Sequence, residues 1–152
     1  MRALHTEKAA YVAVHVNHPR ELTEAARRAA TKLIDAGIPL LSQSVLLKGV
    51  NDDIVTMEAL MRALVEARIQ PYYLHHMDLA PGTEHFRTSI AEGQALMRAL
   101  RARASGLCTP HYVADIPGGY SKALLSENDV QGTGDSCALR DGEGVWHEYP
   151  DC

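Results

Sequence analysis

Short apolar runs alternate with segments of helical spacing along this chain, and this alternation limits the possible folds more than any other feature. The apolar runs occupy residues 11–16, 40–46, 71–75 and 112–114. Helical spacing follows each of the first three runs, and the pattern repeats at about 30 residues, the length of a strand–helix–strand unit. Such alternation is typical of parallel strands with helices packed on the sheet. The sequence therefore predicts an α/β fold.

The ends of the predicted helices carry recognisable signals. Gly37, followed by Pro39, marks the end of the first helix. Ser89 and Glu92 form the capping-box pattern that opens the third helix. The apolar faces of the first two helices are formed by Leu22, Ala25, Ala26, Ala29, Leu33 and Ile34, and by Ile54, Met57, Leu60, Met61, Leu64 and Val65.

The end of the chain differs in character from the rest. Gly132 and Gly134 interrupt the pattern, and two short segments, residues 137–140 and 145–149, then flank an Asp-Gly-Glu-Gly turn. A glycine-rich turn between two such segments predicts a β-hairpin. We therefore expect two parts, an α/β part over residues 1–131 and a C-terminal hairpin and tail over residues 132–152.

Composition narrows the class of protein. The chain has 152 residues, 46% of them hydrophobic, and a formal net charge of -4. This suits a soluble domain with its own core, and the mildly acidic balance disfavours a nucleic-acid partner. No apolar run reaches the roughly 20 residues that span a bilayer, so no membrane partner is expected. Three scattered cysteines argue against a disulfide framework and for a cytoplasmic location.

Polar residues gather where the predicted strands end. In parallel α/β folds, ligands bind at the carboxyl ends of the strands. The polar residues at these ends are His15, Asn17 and His18, then Gln43 and Ser44, then His75, His76 and Asp78, and finally Asp115 with the stretch to Lys122. Loops are commonly polar for other reasons, so this pattern alone leaves both a binding site and ordinary loops open. No spacing typical of a metal site occurs among the histidines and cysteines.

The stretch after the fourth predicted strand bears most directly on whether these residues form a binding site. Residues 115–122 read Asp-Ile-Pro-Gly-Gly-Tyr-Ser-Lys, in which Gly118 and Gly119 allow a close approach of the backbone to a ligand. Lys122 at its end is either an ordinary solvated cation or an amine presented to a carbonyl group.

Five separated motifs make the sequence similar to the lysine 2,3-aminomutase family, radical S-adenosylmethionine (SAM) enzymes that use pyridoxal phosphate. The motifs lie at residues 17–23, 43–52, 71–74, 78–88 and 115–122. They occur in the family's order, and the resemblance extends from about Tyr11 to residues 143–145. It implies the second half of a (β/α) barrel, and an isomerase that moves the α-amino group of L-lysine to the β-carbon by a radical mechanism on the pyridoxal phosphate aldimine.

The resemblance also implies roles for individual residues. Lys122 would form the Schiff base with pyridoxal phosphate, and Gly118, Gly119 and Ser121 would line the cofactor. Asp78 and Asp115 would hold the side-chain ammonium of the substrate, because a buried ammonium needs charge-assisted acceptors. His15 and Gln43 match positions near SAM.

The sequence departs from the family in two places. Tyr120 and Ser121 replace two glycines, and a tyrosine would be strained at a position that requires a positive φ angle. The Cys-x-x-x-Cys-x-x-Cys loop that holds a [4Fe–4S] cluster is absent, so no metal ligand is assigned although the family implies SAM and the cluster. The chain is therefore similar to the carboxyl-terminal portion of such an enzyme.

Several alternatives stay open, and the sequence leaves undecided whether this chain is an active enzyme. The substrate is either free lysine or a lysine destined for or attached to elongation factor P. A different class of function is an inert half-barrel or a scaffold that binds pyridoxal phosphate and assists a cluster-bearing subunit. Because the first strand would form an exposed sheet edge, we expect self-association or a partner that supplies the amino-terminal half.

Overall fold

The predicted α/β architecture with parallel strands is confirmed. The computed structural model describes residues 9–132 and 136–150. The main sheet has five strands in sequence order: β1 (Val12–His15), β2 (Leu40–Val45), β3 (Ile69–His75), β4 (His111–Asp115) and β5 (Lys122–Leu124). The first four strands are parallel, and β5 runs antiparallel to β4. The connections contain three helices: α1 (Glu24–Asp35), α2 (Ile54–Glu66) and α3 (Ile90–Arg103).

Each helix begins at a side chain that accepts backbone hydrogen bonds. The Thr23 hydroxyl accepts from the amide of the third residue of α1, and the Asp53 carboxylate accepts from two amides of α2. These bonds satisfy donors that have no partner within the helix. The side chain of Thr56 and the amides of Thr56 and Val55 lower the pKa of Asp53. The predicted capping box of Ser89 and Glu92 opens α3. Local sequence therefore sets these three starts.

The three helices cover one face of the main sheet. In β2, Leu40, Ser42 and Ser44 are buried while the residues between them are partly exposed. The buried residues face a core that also contains Met57, Leu60 and Leu64 of α2. Because successive side chains of a strand point to opposite faces, every second residue points to the side without helices.

We call that second side the open face. The register places His15 opposite Gln43, Gln43 opposite Tyr73, and Tyr73 opposite His111. A register shift between Ser42 and Gln43 keeps these residues opposite one another. Ser42 pairs with Pro71 and Gln43 pairs with Tyr73, so that Tyr72 has no partner in β2. The polar side chains of the open face are His15, Gln43, Tyr73, His75, His111, Asp115 and Lys122.

A buried asparagine joins the ends of the first two strands. Asn51 is fully buried, and its Oδ1 accepts a hydrogen bond from the Leu47 amide at 2.8 Å. Its Nδ2 donates to the carbonyls of Asn17 at 2.8 Å and Val45 at 2.9 Å. The side chain also fixes the loops that leave the carboxyl ends of β1 and β2.

The predicted C-terminal hairpin is present but is part of a larger unit. Strands β7 (Ser136–Arg140) and β8 (Trp146–Pro150) form the hairpin, and β6 (Val130–Gln131) pairs with β7 to complete a separate antiparallel sheet. The sequence predicted this hairpin but not the third strand, β6, that pairs with it. A strand of two residues has no periodicity that sequence could show, so only its pairing reveals it.

Two further expectations from composition concern the cysteines and membrane-spanning segments. Cys108 is a buried free thiol, whereas Cys137 is disulfide-bonded, a bond that the scattered cysteines did not predict. Among the described residues, no helix has the length and apolar character needed to cross a membrane.

Gly93 provides a test of core packing. A Cβ atom at this position of α3 would lie 2.0 Å from the Tyr112 hydroxyl oxygen, which is itself 2.8 Å from His76 Nδ1. Helix propensity alone would make Gly93→Ala stabilising by about 1 kcal/mol. We expect the steric conflict to dominate and to lower the free energy of unfolding by about 1–3 kcal/mol in urea denaturation.

The matched control is Gly106→Ala, because a Cβ atom at Gly106 meets no atom within 4 Å. Its free energy of unfolding should change by no more than about 0.5 kcal/mol. A Gly93→Ala protein as stable as the unchanged chain would contradict the packing described for α3 against β4.

Candidate functional site

Lys122 and Asp115 form the centre of the candidate site. The antiparallel register of β4 and β5 places these two residues directly opposite each other. Lys122 Nζ donates a hydrogen bond to Asp115 Oδ1 at 2.5 Å. The side chains are 38% and 44% exposed, so the pair lies on the open face where a ligand can reach both groups.

His75 contacts the same carboxylate from the neighbouring strand. Its Nδ1 lies 3.4 Å from Asp115 Oδ2, and its side chain is only 15% exposed. Burial and the positive charge of Lys122 lower the pKa of His75, and the negative charges of Asp115 and Asp78 offset part of this shift. The neutral imidazole therefore prevails at neutral pH. The Asp115 carboxylate thus contacts the Lys122 ammonium through Oδ1 and the His75 imidazole through Oδ2.

Aromatic side chains continue the site from His75 along the open face, and Tyr72 contacts them from the neighbouring position of β3. The Tyr72 hydroxyl donates to the Tyr73 hydroxyl at 3.1 Å, and the two rings are 4.0 Å apart. The Tyr73 ring also lies 5.6 Å from the ring of His75 and 6.3 Å from that of His111. The hydrogen bond with Tyr72 and partial burial raise the pKa of Tyr73. Sequence reasoning treated these tyrosines as strand residues and missed the cluster, although they lie in one of the five motifs.

Residues 116–121, here called the lysine loop, reach Lys122 without backbone strain at Tyr120. The φ angles of Gly118 and Gly119 are 99° and 86°, while Arg68 has the one positive φ among non-glycine residues of the described chain. The two remaining glycines therefore take the left-handed conformations that only glycine adopts readily. The strain considered for Tyr120 does not arise.

Ser121 points away from the lysine pair. Its Oγ accepts a hydrogen bond from the Gly142 amide at 3.0 Å, in the turn between β7 and β8. Its assignment as a cofactor-lining residue stays a prediction, because this hydroxyl is already engaged with the second sheet.

The other predicted residues occupy different parts of the same side. Asp78 follows β3 and affects the pKa of His75 through its charge. His15 Nε2 lies 3.0 Å from Asn17 Nδ2, and Gln43 is its neighbour in register. Since adjacent strands are about 4.8 Å apart, His15 and Gln43 are separated from Lys122 by roughly 14–19 Å of sheet.

The residues around Lys122 suit an organic cofactor better than a metal. A cofactor with an aldehyde and a phosphate fits an accessible amine at the end of a loop whose glycine amides can approach an anion. Across residues 9–132 and 136–150, no group of three or more histidine, cysteine or acidic side chains could hold a metal ion. The described part of the chain therefore does not fit a [4Fe–4S] cluster.

Comparisons with curated proteins agree with the motifs. No protein-family model matches the chain. L-lysine 2,3-aminomutase of Clostridium subterminale is 46% identical over 136 residues, which cover 89% of this chain and 33% of that protein. Glutamate 2,3-aminomutase of Clostridioides difficile is 39% identical over 135 residues, covering 88% of this chain and 32% of that protein. The chain thus spans about one third of the length of these relatives.

The fold has a counterpart among solved structures. A radical SAM methyltransferase from Sphaerobacter thermophilus aligns with a TM-score of 0.56 at 20% identity, over 74% of this chain and 36% of that chain. Most of this chain therefore shares its fold with part of a radical SAM enzyme. The sequence relatives are more specific: the chain is homologous to a segment of L-lysine 2,3-aminomutase that makes up about one third of that protein's length. The family resemblance based on the five motifs is confirmed.

The shared carboxylate predicts opposite effects of two substitutions on the pKa of His75. Lys122→Met removes a nearby positive charge and should raise this pKa, whereas Asp115→Asn removes a negative charge and should lower it. The measurement is an NMR titration of the His75 ring.

Lys32→Met is the control for the change of charge, because Lys32 lies exposed on α1, which packs on the opposite face of the sheet. It should leave the titration of His75 unchanged. Shifts of the same sign for Lys122→Met and Asp115→Asn would show that the two groups do not face His75 as described.

Proposed function

We propose that this chain forms the part of a lysine 2,3-aminomutase-type isomerase that binds pyridoxal 5'-phosphate and the side-chain cation of the substrate. Its relatives include an L-lysine and a glutamate 2,3-aminomutase, which supports an aminomutase more firmly than any particular substrate. The single observation that carries the proposal is the pairing of Lys122 with Asp115 on the open face.

Lys122 would hold the cofactor through its amine. When bound, pyridoxal phosphate supplies an electron sink that stabilises an unpaired electron during migration of an amino group. Gly118 and Gly119 would let backbone amides approach the phosphate, since both adopt left-handed conformations and neither carries a side chain of its own. Gly119 is the more open of the two, because the Tyr120 ring lies against Gly118. His75 and Tyr73 lie beside Lys122 and Asp115 and would restrict water around the amine.

Asp115 would change partner when the site fills. In the structure its Oδ1 accepts from Lys122 Nζ, which is the position a second ammonium group would need. With its amine holding the cofactor, Lys122 would leave Asp115 free to accept the ammonium of the substrate, assisted by the negative charge of Asp78. Cofactor binding would therefore promote substrate binding, and the coupling must be reciprocal.

The two carboxylates favour a cationic side chain over an anionic one. A glutamate side chain placed against Asp78 and Asp115 would bring like charges together, which is unfavourable. Although one relative is a glutamate 2,3-aminomutase, the site proposed here suits lysine. Free lysine, or a lysine destined for or attached to elongation factor P, has the cationic side chain that this site requires. The proposed location of the protein is cytoplasmic.

The remaining parts of the reaction would involve a larger assembly. His15 and Gln43 would lie near SAM, on strands remote from Lys122. Because the described residues do not fit the cluster, no step is assigned to it in this chain. We propose that the open face is the inner surface of part of a (β/α) barrel, which a further chain segment or partner would complete.

A second candidate function is an inert scaffold that binds pyridoxal phosphate and supports a cluster-bearing subunit. The lack of a cluster site among the described residues favours it over an independently active enzyme. Both functions require the same cofactor and the same lysine, so the first test concerns Lys122 itself.

Lys122 should be the residue that pyridoxal phosphate modifies. We expect borohydride reduction after incubation with the cofactor to add a pyridoxyl group to Lys122, detected by peptide mass spectrometry, and Lys122→Arg to abolish this label. Lys32→Arg is the matched control, because its side chain is exposed on α1. Equal labelling of the exposed lysines, with no preference for Lys122, would refute the cofactor site.

Asp115 should determine the preference for a cationic substrate. In calorimetric titrations of the cofactor-loaded chain, Asp115→Asn should weaken L-lysine binding by about tenfold to a hundredfold, the effect of losing a charged hydrogen bond. The affinity for pyridoxal phosphate and for uncharged L-norleucine should change far less. Asp35→Asn, which alters an exposed pair with Arg68, is the control for net charge. Equal losses for lysine and cofactor would defeat this assignment.

The sheet edge and open face should promote association. Strand β1 pairs with β2 on one side and forms an edge of the described main sheet, a template for another strand. We expect light scattering after size-exclusion chromatography to show masses above 16.6 kDa that increase with concentration. A stable monomer across the concentration range would argue against self-association.

A further inference from the structure

Two residues of the lysine loop contact the second sheet, one at the turn between β7 and β8 (residues 141–145, here called the hairpin turn) and one at His147, the second residue of β8. The Tyr120 ring lies 4.0 Å from the ring of His147, at an angle of 35°. The Ser121 hydroxyl accepts a hydrogen bond from the Gly142 amide at 3.0 Å. These are the two positions at which the sequence departs from the glycines of the family.

The hairpin turn is itself held by Asp141. Asp141 Oδ1 accepts hydrogen bonds from the amides of Glu143 and Val145, both at 2.9 Å. Its Oδ2 lies 2.7 Å from His147 Nε2, and both side chains are largely buried. These contacts lower the pKa of Asp141, with the His147 hydrogen bond as the first cause. The turn therefore presents the imidazole and the Gly142 amide from an ordered frame.

The loop side of the contact is equally constrained. A Cβ atom at Gly118 would lie 3.0 Å from the Tyr120 ring, so the ring folds back over the glycine backbone. Gly118 also has a φ angle of 99°, which disfavours any other residue there. The ring of Tyr120 thus lies between the left-handed part of the loop and the second sheet, two residues before Lys122.

We propose that Tyr120 and Ser121 are positioning residues that attach the lysine loop to the hairpin turn and thereby hold Lys122 opposite Asp115. Loops rich in glycine lose much conformational entropy when they adopt one geometry. A ring contact and a hydrogen bond to a fixed turn offset that cost in the two residues adjacent to the lysine. This inference deepens the proposed function and rests on it for the role of the amine.

The pKa of His75 reports the position of Lys122 without any cofactor. The charged or titratable groups that act on His75 are Lys122, Asp115 and Asp78. If the loop is released and Lys122 leaves Asp115, the positive charge near His75 is lost and this pKa should rise, as in Lys122→Met. A merely structural role of Tyr120 and Ser121 would change stability but would leave the folded-state titration of His75 unchanged.

The experiment compares the full chain with Tyr120→Ala/Ser121→Ala, the conservative Tyr120→Phe/Ser121→Thr, and Glu143→Ala in the exposed part of the same turn. We expect the alanine pair to raise the pKa of His75 and to slow pyridoxyl labelling of Lys122 by about tenfold or more, since small misplacements of a reacting group are costly. The conservative pair should restore both values, and Glu143→Ala should match the unchanged chain.

His147 tests the same contact from the other side. His147→Ala leaves the loop sequence intact but removes the ring partner, and should raise the pKa of His75, whereas His147→Phe should retain most of the effect. Single variants Tyr120→Ala and Ser121→Ala replace the pair if it does not fold. An unchanged His75 titration in folded alanine variants overturns the inference. Absence of label in every protein, with the His75 shift present, instead refutes the proposed function and leaves the positioning role supported.

Discussion

The one-sided packing of the main sheet is the constraint on which the rest of this structure depends. Helices α1, α2 and α3 bury one set of strand residues, among them Leu40 and Leu74, and the alternation of the strands sends the other set to the open face. The in-register row from His15 to His111 follows from that alternation and from the parallel pairing. Core packing and the site are therefore two consequences of one pattern.

Electrostatics on the open face centre on Asp115. One carboxylate is near two groups, the ammonium of Lys122 and the partly buried imidazole of His75. Because the Lys122–Asp115 pair is substantially exposed, water weakens its contribution to stability. In the proposed function its importance is that Asp115 can exchange Lys122 for another cation. The pair with Lys122 leaves the Asp115 carboxylate with a cationic partner, and in the proposed function the ammonium of the substrate would take the place of Lys122.

Much of the fold could be predicted because its signals are local. The caps at Asp53 and Ser89 and the apolar spacing of α1 and α2 depend on neighbours within a few residues. Strand β5 was not predicted, since three residues after a glycine loop show no periodicity. The roles of Asn51 and the tyrosine cluster were also missed, because their partners come from other strands and loops.

The sequence by itself determined the α/β class, the presence of the first four strands, the family relationship and the candidate residues Lys122, Asp115 and Asp78. Only the tertiary structure decided which of them meet. Strand β5 runs antiparallel to β4, which brings Lys122 against Asp115. The second sheet contacts the lysine loop through Tyr120 and Ser121. The physical reason is that periodicity and capping act over one or two turns of chain, whereas these contacts join segments whose separation in sequence carries no signal of their proximity in space.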